Sequence, residues 1–185
     1  IECKWTYTGR CDPAEMGGID MSLQAFVSRL MLRYTFKRRL SKNPTVEYVR
    51  MMNTVAEAGF RMKTSMPDIK IESAAFGGVA VELLSGENAD ASRAILYIHG
   101  GAWITGSPQT HRSITRRLAR LTGFPVFAVD YRLAPEYPWP AALDDCMNVW
   151  EALSERGLLP QNVAVAGDSA GGNLTLALAL KLKAE

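Results

Sequence analysis

At 185 residues, 48% hydrophobic and 22% charged, the chain has the composition of a soluble globular domain with enough length to bury a core. Its formal net charge of +2 lacks the one-signed surplus of a nucleic-acid-binding domain, so no nucleic-acid partner is expected. Cys3, Cys11 and Cys146 cannot all pair and have no histidine close in sequence, no run reaches membrane-span length, and the N-terminus lacks a secretory pattern; together these predict free thiols and a cytoplasmic location.

Residues 1–20 show no helical or strand period and carry glycine, proline and isolated charges, which predicts a disordered leader. From Ser22 the texture changes. Leu23, Phe26, Val27, Leu30, Met31 and Tyr34 recur at helical spacing with Arg29, Arg33 and Lys37 between them, the pattern of a basic amphipathic helix. Such a helix suits an anionic membrane surface, or more simply the surface of its own protein. Asn43 followed by Pro44 is a helix start and Gly59 a stop, so a second helix is predicted over 44–58. The stretch "IKIESAAFGGVAVELLSG" reads as two strands joined by a hairpin at Gly77–Gly78.

Beyond Asp90 strands and helices alternate: "AILYIHG" (strand), "HRSITRRLARLTG" (helix closed by Gly123), "PVFAVDYRL" (strand), "WPAALDDCMNVWEALSERG" (helix with Leu143, Cys146, Val149, Trp150 and Leu153 on one side), "NVAVAG" (strand) and a final 15-residue helix. Strands covered on both faces lose their polar alternation, as these do. The fold class is therefore α/β, with a mostly parallel sheet between layers of helices.

In "VAVAGDSAGGN" the residues Gly167, Ser169 and Gly171 form G-x-S-x-G between a buried strand and a helix. A chain that reverses so sharply holds the serine in a strained conformation and needs neighbours too small to clash. Ser169 is thereby presented at the carboxyl end of the sheet as a candidate nucleophile. The N–H of Ala170 stands at a helix N-terminus, where the dipole favours developing negative charge. Asp168, beside the serine in sequence, is read as a support of the turn. A second glycine loop, Gly100, Gly101 and Ala102 after His99, ends an earlier buried strand, where bare backbone lets an oxyanion approach N–H donors.

"HGGAW" followed by "GDSAGGN", with "DYRLAPEYPWPAALDD" between them, resembles the hormone-sensitive-lipase group of bacterial esterases and lipases over Met21–Glu185. The resemblance implies an α/β-hydrolase fold with Ser169 as nucleophile and oxyanion donors from Gly100, Gly101, Ala102 and Ala170. His99, Gly167, Asp168, Gly171 and Gly172 are then motif residues that shape the turns. It further implies an N-terminal helical cap over residues 21–66, the hydrolase core over 67–185, and a native start at Met21. Where the group usually has a third glycine this chain has Ala102, whose N–H remains a usable donor at negative φ, although bulky groups approach less closely. Asp130, Arg132 and Glu136 are read as a framework network or as separate salt bridges. No metal or cofactor is implied; the expected partner is a small-molecule ester.

A serine hydroxyl needs a base, and in this fold the order along the chain is Ser, then Asp or Glu, then His. After Ser169 the chain offers Glu185 and no histidine. Strand "NVAVAG", apolar throughout, would leave an open sheet edge. Both features lead to the expectation of the N-terminal portion of a longer hydrolase, inactive by itself, with homo-oligomerisation through the edge left open. The principal functional expectation is a carboxylic ester hydrolase for short to medium acyl groups. A lactone hydrolase and a non-catalytic small-ligand module on the same fold are the alternatives.

Overall fold

A computed structural model describes residues 30, 45–51 and 66–184 of the chain. The chain divides into two units, Ile1–Pro44 and Thr45–Glu185, and the architecture below is that of the second. The expected leader over 1–20 lies outside the described residues, as do the two predicted N-terminal helices except for helical Leu30 and residues 46–51.

Strands β1 (Ile69–Phe76) and β2 (Val79–Gly86) form the expected antiparallel hairpin, with Phe76 opposite Val79. Gly77 and Gly78 lie at φ 55° and 79°, the left-handed pair of a two-residue hairpin turn. A side chain at Gly77 would also run into the backbone carbonyl of Asn148. Strands β3 (Ala94–Ile98), β4 (Val126–Val129) and β5 (Val163–Gly167) complete a five-stranded sheet in the order β1-β2-β4-β3-β5. β2 pairs antiparallel with β4; β4–β3 and β3–β5 are parallel.

Helices α1 (Arg112–Thr122), α2 (Ala141–Glu155) and α3 (Ala170–Ala184) follow β3, β4 and β5. Side chains alternate along each strand, so Leu96, Ile98, Phe127 and Val129 meet Leu143, Cys146, Val149, Leu153, Leu174 and Leu178 from α2 and α3. Ile95, Tyr97, Val126 and Ala128 face the other way, against Leu118 and Ala119 of α1. Burying one such Leu or Ile stabilises the fold by about 1.5–3 kcal/mol, and Leu96 and Ile98 are both fully buried. Gly123 ends α1 as expected, at φ 71°, its N–H donating to Ala119 O at 3.0 Å.

The structure differs from the sequence pattern after β4. The predicted strand through Leu133 stops at Val129: the Asp130 N–H still donates to Ala80 O of β2 at 3.0 Å, but beyond it the Tyr131 hydroxyl donates to His99 O at 2.8 Å and the Arg132 N–H to Asp145 Oδ2 at 2.8 Å. β5 is an edge strand, half exposed, with one side of its backbone unpaired among the described residues. No helix among these residues is long and apolar enough to cross a membrane.

Candidate active site

The parallel pairing of β3 with β5 sets Ile98 opposite Gly167, so the loop leaving β3 and the serine turn leaving β5 lie side by side at the carboxyl end of the sheet. Crevices at this end are where open α/β sheets bind ligands. Ser169 is exposed and sits at φ 51°, a left-handed conformation that costs an L-residue roughly 1–2 kcal/mol.

Two glycines permit the reversal. A Cβ at Gly167 would come within 2.5 Å of Gly171 O and 2.7 Å of Ile98 O, and one at Gly171 would collide with Ile98 O. Gly172 is different: its added Cβ would meet Gly167 O at 3.4 Å, so the close packing rests on Gly167 and Gly171. The Asn173 N–H donates to Ser169 O at 3.1 Å and starts α3, leaving the N–H of Ala170 at the helix N-terminus beside the serine.

Asp168 ties this turn to the loop after β3. Its Oδ1 accepts from the Tyr97 hydroxyl at 2.8 Å and from the Gly100 N–H at 3.0 Å, and His111 Nε2 lies 3.5 Å from the same oxygen. The contact with Gly100 corrects one expectation: this N–H is already engaged by the carboxylate and does not face an incoming oxyanion. A Cβ at Gly100 would also collide with Asp168, which makes this glycine a packing residue. Gly101 and Ala102 retain N–H groups with no hydrogen-bond partner among the described residues.

Gly101 lies at φ 131°, with its carbonyl accepting from Ile104 N at 3.2 Å and Thr105 N at 3.0 Å. Ala102 is at φ 54°, so the negative φ on which its N–H donor depended is not met, although that N–H stays without a partner among the described residues; Trp103 follows at φ 61°. Two successive non-glycine residues in this region make the loop a strained element that its surroundings have to hold. Gly106, which sequence reasoning did not single out, takes φ 94°, and a Cβ there would strike Gly100 O and stand 2.7 Å from His99 Nδ1.

Both imidazoles are engaged by other groups. His99 is 1% exposed, stacks on the Tyr131 ring at 4.1 Å and 14°, and has Nδ1 2.8 Å from Gly100 O, so Nδ1 carries the proton that it donates to this carbonyl. Burial pushes its pKa down to about 4, so the ring is neutral and weakly basic at pH 7. His111 has both nitrogens occupied: Nδ1 lies 2.7 Å from Thr110 Oγ1 and 3.1 Å from Ser107 O, and Nε2 faces Asp168. Tyr97 and Tyr131, read as strand residues from the sequence, thus reach the motif residues through their hydroxyls.

The expected framework acids and bases separate. Arg132 pairs with buried Asp145, its Nη2 2.8 Å from Oδ1, whereas Glu136 pairs with Arg50 and Asp130 joins neither pair. Among the described residues no group of three or more His, Cys, Asp or Glu could hold a metal ion.

A serine turn and a glycine loop on adjacent parallel strand ends, with helices on both faces of the sheet, define an α/β-hydrolase core. Residues 95–185 match the family model described as the alpha/beta hydrolase fold. An esterase of Acinetobacter venetianus is 42% identical over 123 residues, covering 66% of this chain and 40% of that protein. An ethyl acetate hydrolase of Pseudomonas putida is 43% identical over 99 residues, 51% of this chain and 31% of that one. Among solved structures, a hormone-sensitive lipase from a metagenome library superposes with TM-score 0.76 at 34% identity, over 89% of this chain and 53% of its own. Over the residues that match, the chain has the α/β-hydrolase fold and is similar to esterases of the hormone-sensitive-lipase group. It spans between about a third and a half of these relatives' lengths.

Proposed function

We propose that Ser169 is the nucleophile of a carboxylic ester hydrolase. Its Oγ attacks the ester carbonyl carbon and passes its proton to a base, and the carbonyl oxygen becomes an oxyanion held by the N–H of Ala170 with those of Gly101 and Ala102. Collapse expels the alcohol, which takes up that proton and leaves an acyl-serine, and water repeats the sequence to release the acid. The observation that carries this reading is the strained serine at φ 51° beside a helix N-terminus, next to a loop with two N–H groups unengaged among the described residues. Because both histidines are engaged elsewhere, the base and its orienting carboxylate are assigned outside these 185 residues. Short to medium acyl esters are the proposed substrates, in keeping with the Pseudomonas putida relative's name.

The engagement of both histidines also favours a second reading, a small-ligand module without catalysis. Intact-mass labelling of Ser169 by a fluorophosphonate, with and without added imidazole, separates the two. The esterase reading expects slow labelling that imidazole accelerates and Ser169→Ala abolishes, with p-nitrophenyl acetate and butyrate turnover following the same pattern. A folded chain that labels under neither condition overturns it and leaves the binding module. Rapid labelling without imidazole would place a base within the chain or in a second copy.

A further inference from the structure

One guanidinium joins two backbone carbonyls and a carboxylate around the glycine loop. Arg50, in the helical segment 46–51, donates from Nε to Ile104 O at 2.7 Å. Its Nη1 and Nη2 fork onto Glu136 Oε1 and Oε2 at 2.8 Å each, and Nη2 also donates to Ala134 O at 3.1 Å. The Ala134 N–H in turn donates to Trp103 O at 2.9 Å. The carbonyls of Trp103 and Ile104 are therefore held from two directions, immediately after the left-handed pair Ala102 and Trp103.

An ordinary surface ion pair with a half-exposed Glu136 would contribute little. Two of these four bonds, however, go to backbone carbonyls, and the planar fork suits simultaneous contacts that a lysine ammonium cannot make. Arg50 is also well placed to hold a strained turn, because such φ values persist only where the surroundings over-determine them.

We propose that Arg50 is a positioning residue that fixes the turn Gly101–Thr105, and through it the direction of the Gly101 and Ala102 N–H groups. The catalytic part of this claim rests on Ser169 being an ester-hydrolysing nucleophile; the geometric part does not. Glu136 fixes the guanidinium in turn, and the Arg50 guanidinium holds its carboxyl down at a pKa of about 2.

The experiment compares wild type, Arg50→Ala and Arg50→Lys by hydrogen exchange of the Ile104, Thr105 and Ala134 amides, whose bonds close the turn. Fluorophosphonate labelling of Ser169 in the presence of imidazole is run on the same samples. The expected result is exchange about tenfold faster at those three amides in both variants, unchanged exchange across Ile95–Ile98, and labelling slowed by about tenfold. Lysine fails to rescue because it keeps the charge and loses the fork. Unchanged exchange at the three amides overturns the geometric claim whatever Ser169 does. Faster exchange with undiminished labelling overturns the catalytic part. A wild-type chain that never labels is a failure of the esterase reading alone, since the amides still decide Arg50. Variants that speed exchange equally in β3 would show a general loss of stability and also overturn the proposal.

Discussion

Acidification from pH 7 to pH 4 should destabilise the fold through the buried imidazole of His99. His99 has an ordinary pKa of 6.5 when unfolded and about 4 in the fold, chiefly because burial disfavours the cation. Nearby His111 lowers it further, while the Gly100 carbonyl and Asp168 oppose the shift. Between the two values the unfolded chain binds a proton that the native chain does not, so stability rises with pH through this window. The contribution is complete above pH 6.5 and lost as pH falls through 4. A gap of that size corresponds to about 3 kcal/mol of unfolding free energy. Urea unfolding at half-unit steps from pH 7 to 4, with the His99 Hε1 resonance followed by NMR, measures both the slope and its source. Glu136, depressed to about 2, contributes stability that is present above its ordinary 4.5 and lost toward 2, so it acts at the acid end and below. An imidazole that titrates near 6.5, or a slope that persists undiminished in His99→Gln, would refute the account.

Ser169→Gly should remove all labelling while raising unfolding free energy by about 1 kcal/mol in urea melts, because glycine adopts φ 51° without the Cβ penalty but loses more entropy on folding. Gly171→Ala should lower stability by roughly 1–3 kcal/mol through collision with the Ile98 carbonyl. Gly172→Ala in the same helix should leave stability unchanged or slightly higher, and calorimetry distinguishes the pair. Sedimentation of the 185-residue chain should show concentration-dependent association through the open β5 edge and the exposed Leu176 and Leu180 of α3, reduced in Ala164→Lys, which puts a charge on that edge.

The strands of the core were legible because their chemistry is local. Ile95 to Ile98 are apolar at every position, as a strand covered on both faces has to be, and Gly77–Gly78 announces its turn by composition. The serine turn was legible for the same reason: its glycines are required within five residues of one another. What escaped depends on residues far apart in sequence. Nothing near Arg50 indicates that its partner is Glu136, 86 residues on, and nothing in "DYRL" shows Tyr131 leaving the strand to stack on His99. Gly100 was misassigned because a glycine that frees an N–H for a ligand and one that lets a carboxylate approach look alike until Asp168 is placed. The φ of Ala102 was left open by its sequence, and the turn sets it at 54°.

The close approach of Gly167, Gly171 and the Ile98 carbonyl means that the serine turn and its neighbouring strand touch as bare main chain. Main chain has no alternative side chains to offer, so this part of the molecule has almost no room to drift by substitution. Substitution is thereby displaced onto positions outside these contacts, such as Gly172, whose added Cβ would meet Gly167 O only at 3.4 Å. Any redesign of the surroundings of Ser169 in the laboratory would leave Gly167 and Gly171 alone.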